Sequence, residues 1–386
     1  MRSGKHRHGV SCFTVIILLT LQNENFIVPP VLKQDRETGE GSVMLKKTFY
    51  SGVAIFLLLL MPIFSVYAAS YGSNPMWQKE QAFLPADMRF NDTYRPSEET
   101  WVWNGHKIHI DYFKNDKAPA KLILLHGVGT NGRQMSLIVG GPLWKRGYEC
   151  IALDMPGYGM TEVNPDRPIT YTDWVQIVSD FIDFERKKDN RPIILYGLSA
   201  GGMQTYHVAA KNGRVEGIIG MTFLDQLIKM VRDKTAYNLF MSRVGVPVAG
   251  LCSHIPLLRS MKIPMRVASK MYTLVNNEEV LKVFLSDKSS SGNWMSMLFL
   301  ADYMKYSPAI EPENFTNCPV LLTQPAQDRW SPLELSQPFI EKLTKVKVKV
   351  VMLEKAGHYP LELPGLKQME NAIVDFAEEI VGNVKK

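Results

Sequence analysis

From about residue 100 onward, short apolar runs alternate with longer stretches in which apolar residues recur every three or four positions. The runs are Lys121–Leu125, Tyr148–Leu153, Pro192–Tyr196, Val215–Thr222, Pro319–Gln324 and Val346–Leu353. Runs of this length, bounded by turn residues, predict strands buried on both faces of a parallel sheet. Ahead of them, Trp101–Trp103 and Lys107–Tyr112 flank Asn104-Gly105, a dipeptide that favours a two-residue hairpin turn. The periodic stretches predict helices. Asp173–Phe184 carries Trp174, Val175, Ile177, Val178, Phe181 and Ile182 at helical spacing, and Leu366–Val381 closes the chain. Ser331-Pro332-Leu333-Glu334 reads as a capping box with proline at the first helical position, so a helix is expected to open there. Strands alternating with helices predict a doubly wound, mostly parallel α/β sheet.

Two segments break this rhythm. Residues 226–316 show no parallel-strand run, are dense in methionine and hold eleven basic against seven acidic residues. They predict a basic, mostly helical cap, inserted before the penultimate strand over the carboxyl edge of the sheet. The second segment begins at Met44. Lys46 and Lys47 precede an apolar core from Val53 to Val66, and Val66-Tyr67-Ala68 offers small residues at −3 and −1. That is the layout of a secretory signal peptide, with cleavage expected after Ala68 and a periplasmic or secreted product. The competing reading is a membrane anchor over residues 49–69. Residues 1–43 resemble no compact domain and read as an over-long gene start. The expected organisation is therefore leader 44–68, N-terminal extension 69–99, core 100–225 and 317–386, and cap 226–316.

Composition narrows the class. The chain has 386 residues, 46% hydrophobic and 21% charged, which excludes disordered, collagenous and coiled-coil classes. Net charge is +6, and residues 1–68 hold seven basic and four acidic residues. The remainder is too weakly basic to argue for nucleic acid. Beyond the leader stand Cys150, Cys252 and Cys318. Cys150 falls in a buried strand, so a free thiol is expected there, and a Cys252–Cys318 bridge stays open. No C-x-x-C pair, H-E-x-x-H, EF-hand loop or phosphate-binding G-x-x-x-x-G-K-[ST] occurs, so neither metal nor cofactor is expected.

Gly197-Leu198-Ser199-Ala200-Gly201 follows the run Pro192–Tyr196 and precedes a helical pattern. A G-x-S-x-G string in strand–turn–helix context lifts a serine hydroxyl above a sheet. A nucleophilic serine needs a base and an orienting acid. Three histidines follow it. His207 lies in the helix leaving the elbow and reads as structural. His254 lies in the cap and reads as solvated. His358, in Ala356-Gly357-His358-Tyr359-Pro360, follows the final strand, where open sheets place active residues, and reads as the base. Asp328, after Pro319–Gln324, is the preferred acid over Asp225, which follows Val215–Thr222. The oxyanion donors are expected to be the backbone N–H groups of Ala200 and, in the loop His126-Gly127-Val128-Gly129, of Val128. His126 is expected to brace that loop.

These motifs resemble the α/β-hydrolase superfamily. His126-Gly127, Asp154-Met155-Pro156-Gly157-Tyr158-Gly159, the Ser199 elbow, Asp328 and His358 stand in the family's order over roughly residues 100–383. The single His-Gly pair resembles the monoglyceride-lipase and esterase type. Serine at 199 argues against the aspartate-nucleophile dehalogenases and epoxide hydrolases of the same superfamily. The resemblance implies a serine hydrolase acting on carboxylic esters through an acyl-enzyme. It leaves acyltransferase, thioesterase and cofactor-free haloperoxidase readings open, and a catalytically silent binding protein as a reading from another class. The methionine-rich basic cap suggests a lipid-like ester and contact with a membrane surface. The plainer alternative is that these methionines pack the cap and its lysines are a solvated face.

Overall fold

A computed structural model of the protein describes residues 70–384. The expected leader, its cleavage site and the stretch before it lie outside the described residues. Among the described residues there are ten strands: β1 (Ser97–Trp103), β2 (His106–Phe113), β3 (Lys121–Leu125), β4 (Glu149–Leu153), β5 (Ile193–Leu198), β6 (Gly217–Met221), β7 (Lys262–Pro264), β8 (Trp294–Ser296), β9 (Val320–Pro325) and β10 (Val348–Leu353). Eight of them form one sheet in the order β1-β2-β4-β3-β5-β6-β9-β10. From β4 to β10 all neighbours are parallel, and the β1–β2 and β2–β4 pairs are antiparallel. Asn104 and Gly105 take positive φ in the β1–β2 turn.

Burial explains the apolar runs. Every residue of β3, β4, β5, β6 and β9 is buried. β10 departs from the expected double burial. It lies at the sheet edge, and Val350 and Met352 are exposed. Its run of Val and Lys was apolar enough to read as a strand, but an edge strand has a neighbour on one side only. Helices Tyr171–Arg186, Ala200–Asn212 and Gly365–Val384 pack onto the sheet. The first is closed by a capping box between Thr170 and Asp173.

Chain order runs from β3 outward to β4, then returns to place β5 on the other side of β3. That reversal opens a crevice at the carboxyl ends of β3 and β5, the usual binding position in open α/β sheets. Residues 226–316 sit between β6 and β9. They contain helices Lys229–Thr235, Val246–Ser253, Glu278–Ser286 and Met297–Tyr303, together with an antiparallel pair β7–β8. The segment before β1 is built into the core: Tyr71, Trp77, Leu84 and Phe90 are buried in the main hydrophobic cluster. No disulfide joins Cys252 to Cys318; all three described cysteines are buried.

Candidate active site

Four loops leave the carboxyl ends of β3, β5, β9 and β10. At the end of β5, Ser199 is held at φ 57°, ψ −118°, an unfavourable conformation for a residue with a side chain. Its backbone N–H donates to Met221 O of β6 at 2.9 Å. The turn closes only because Gly197 has no side chain: a Cβ there would stand 2.0 Å from Gly201 O. Ser199 then stands at the N-cap position of helix Ala200–Asn212, its side chain making no capping hydrogen bond. The Ala200 N–H is at the first helical position, where no carbonyl lies one turn back to receive it.

The β3 loop lies directly against this elbow. A Cβ on Gly127 would come within 2.8 Å of Leu198 O and 2.9 Å of Ser199 Cβ. The loop is held by its carbonyls. Gly127 O meets His126 Nδ1 at 2.8 Å, Val128 O accepts from Tyr158 Oη at 2.8 Å, and Gly129 O accepts from Ser291 Oγ at 2.7 Å. His126 Nε2 in turn accepts from Met155 N at 2.8 Å. Burial holds the His126 imidazole below its ordinary pKa, so it works as a neutral brace between two loops.

On the far side, His358 Nδ1 meets Asp328 Oδ2 at 2.8 Å. Asp328 Oδ1 accepts from the backbone N–H groups of Trp330 and Ser331, both at 2.8 Å. Burial would raise the Asp328 carboxyl. The charge and hydrogen bond of His358 and the donors of Ser331 outweigh it and hold the group below the ordinary aspartate value. The opposite ring nitrogen, His358 Nε2, is buried with no hydrogen-bond partner among the described residues. Trp330 packs on the imidazole with ring centroids 4.8 Å apart. Tyr359 Oη donates to Gln134 O at 2.9 Å, tying the histidine loop to the helix that follows the β3 loop.

The other candidates lie elsewhere. Asp225 accepts from Leu227 N and makes no hydrogen bond to His358. His207 is buried against Tyr171 Oη at 3.0 Å, and burial lowers its pKa to about 3. His254 is exposed on the cap.

Ser331 is the residue that sequence reasoning missed. Its Oγ lies 2.9 Å from both Asp328 Oδ2 and His358 Nδ1. The expected capping box does not form. Pro332 precedes a short 3-10 turn, Leu333–Leu335, and the Ser331 hydroxyl serves the acid instead. The only available signal was a serine three residues after Asp328, which the capping pattern explained equally well.

The cap roofs the site. Tyr359 N donates to Leu274 O at 2.8 Å, Arg329 to Val275 O at 3.1 Å, and Trp330 Nε1 to Thr235 O at 3.0 Å. Ser199 is left 4% exposed and His358 1%. Among the described residues no group of side chains is arranged to hold a metal ion.

A strained serine between a parallel strand and its helix, at a sheet's topological reversal and under an inserted cap, is the architecture of a nucleophile-elbow hydrolase. The chain belongs to the alpha/beta hydrolase family, whose pattern matches residues 122–367. No curated protein matches the sequence. Solved structures share the fold at low identity. A soluble variant of monoglyceride lipase from Saccharomyces cerevisiae, in complex with a substrate analog, is 18% identical with a TM-score of 0.60. The match covers 76% of this chain and 98% of that one. Monoacylglycerol lipase from Paleococcus ferrophilus is 18% identical, TM-score 0.52, covering 71% and 99%. Mouse alpha/beta hydrolase domain-containing protein 10 is 18% identical, TM-score 0.51, covering 74% and 99%.

Proposed function

We propose that this hydrolase cleaves carboxylic esters through an acyl-enzyme on Ser199. The supporting observation is the His358–Asp328 pair, whose outer nitrogen is left without a partner at the carboxyl end of the sheet, where the strained serine also stands. His358 Nε2 takes the Ser199 proton as Oγ attacks the ester carbonyl. Asp328 fixes the tautomer through Nδ1 and stabilises the imidazolium. The N–H groups of Val128 and Ala200 receive the developing oxyanion. The proton then passes to the leaving alcohol, and water activated by the same histidine releases the acid.

The acyl portion is proposed to be lipid-like. The cap methionines carry little of that reading, because Met265, Met271, Met295 and Met297 are buried in packing and only Met230 is exposed. Support comes from the apolar surface that the cap exposes and from the fold shared with monoglyceride lipases. Hydrolysis of p-nitrophenyl octanoate is expected to exceed that of the acetate in kcat/KM. A preference for acetate overturns the lipid-like reading and leaves the esterase. Transfer to an added alcohol in place of water would move the assignment to an acyltransferase. Export, proposed from residues 44–68 alone, predicts a mature chain beginning at Ala69 by intact mass.

A further inference from the structure

The two halves of the cap differ in charge. Between Leu227 and Asn277 stand eight basic residues (Lys229, Arg232, Lys234, Arg243, Arg259, Lys262, Arg266 and Lys270) and one acid, Asp233. This half also turns its large apolar residues outward. In the helical stretch around Met241–Ser253, the residues buried are Ser242, Ala249, Gly250 and Cys252. Phe240, Leu251 and, just beyond, Leu257 are 53%, 60% and 84% exposed. A helix that buries its small residues and presents its large ones to solvent has the inverse of the usual amphipathic order.

Between this helix and Lys229–Thr235 lies a cleft of about 580 Å³. Its lining includes Lys229, Arg232, Arg243 and Lys305 against the single carboxylate of Asp233, with Val246, Pro247 and Leu251 as apolar wall. Asp233 is already engaged: it accepts from Ser242 Oγ at 2.6 Å and pairs with Arg243 at 3.0 Å. Arg232 donates to Gln226 O at 2.8 Å. Lys229 and Lys305 make no ion pair among the described residues, and the Lys305 ammonium rests against Gly250, 3.3 Å from where a Cβ would stand. The cleft therefore gathers uncompensated positive charge beside the exposed Leu251, with Phe240 and Leu257 exposed just before and just beyond the same helical stretch. None of the triad residues lines it.

We propose that this cleft binds the phosphate headgroup of an anionic membrane phospholipid while Phe240, Leu251 and Leu257 enter the interfacial layer. Basic side chains and outward apolar residues on one surface are the combination that holds a helix in a membrane interface. A free phosphate ion would satisfy the lysines but leave those apolar residues in water, so the lipid-borne phosphate accounts for both features. Among the described residues no helix is long and apolar enough to cross a membrane. Helix Lys229–Thr235, which forms one wall, ends at Thr235, whose carbonyl holds the indole of Trp330 against His358. The bound surface would thus lie on an element joined to the active-site roof.

The test is sedimentation of the full chain with phosphatidylglycerol and with phosphatidylcholine vesicles. Preferential binding to phosphatidylglycerol, weakening as salt rises, is expected. The K229Q/K305Q double variant should lower the partition roughly ten- to thirty-fold, at about one charge's worth per lysine. Leu251→Asp should lower it as well, and neither variant should change hydrolysis of a soluble short-chain ester. Equal binding to both vesicles, no binding, or unchanged binding of K229Q/K305Q overturns the proposal. Protection of the chain by millimolar inorganic phosphate without vesicle binding also overturns it, by assigning the cleft to a free ion. Vesicle binding by a chain that hydrolyses no ester would leave this inference standing and remove the ester-cleaving reading.

Discussion

At Asp328, four donors converge on one buried carboxylate: the N–H groups of Trp330 and Ser331, the Ser331 hydroxyl and His358 Nδ1, of which the sequence led to His358 alone. Asp328→Asn keeps the shape but presents an amide where His358 needs an acceptor. Turnover of a soluble ester should fall by an order of 10³ to 10⁴, as expected when a triad histidine is left in the wrong tautomer. Ser331→Ala removes one hydroxyl from the same carboxylate and from Nδ1. The imidazole is then held less firmly for proton transfer, so kcat should fall roughly ten-fold, about 1.4 kcal/mol in the barrier, with KM little changed. A loss of melting temperature with kcat intact would make Ser331 structural. The sequence made Ser199 and His358 readable because each sits in a short motif at a strand end. Ser331 was hidden because its residue type and spacing also suit a helix cap, and the two uses cannot be told apart without the position of His358.

The segment Ser70–Tyr94 works as an element of the core. Tyr71 Oη donates to Asp154 at 2.9 Å, and the Arg133 guanidinium stands 4.4 Å from the Tyr71 ring and 4.8 Å from the Trp77 ring. Arg133 itself is held by Asp111 at 2.6 and 2.8 Å. Trp77→Ala should destabilise the fold by about 3–5 kcal/mol, measured by denaturant unfolding. An effect below about 1 kcal/mol would show that the segment only decorates the surface. From the sequence this stretch read as an extension, because its anchors are scattered aromatics with no strand or helix period. The inner strands were legible through unbroken apolar runs. β10 was legible as a strand but not as an edge, since edge position depends on chain topology. The short β7–β8 pair was illegible, because three-residue strands leave no period.

Across the whole molecule, the N-terminal segment, the core and the cap meet at one buried carboxyl. Glu80 accepts from Gln134 Nε2 at 2.9 Å, and Gln134 also reaches Ser290 of the cap at 3.2 Å. Burial, reinforced by the charge of Asp287, raises Glu80 from 4.5 to about 8. In the unfolded chain the group ionises near its ordinary value. Between these two values the folded state therefore holds a proton that the unfolded state has lost, and stability falls as pH rises through that window. Glu80→Gln should flatten this part of the stability profile and raise the melting temperature near pH 8. An unchanged slope would assign the pH dependence elsewhere. The central claim, that Ser199 is an activated nucleophile, is tested most directly by covalent labelling with a fluorophosphonate and mapping of the modified peptide. One adduct is expected, on Ser199, abolished in Ser199→Ala and strongly slowed in Asp328→Asn. No adduct on the native chain, or an adduct that persists in Ser199→Ala, would contradict it.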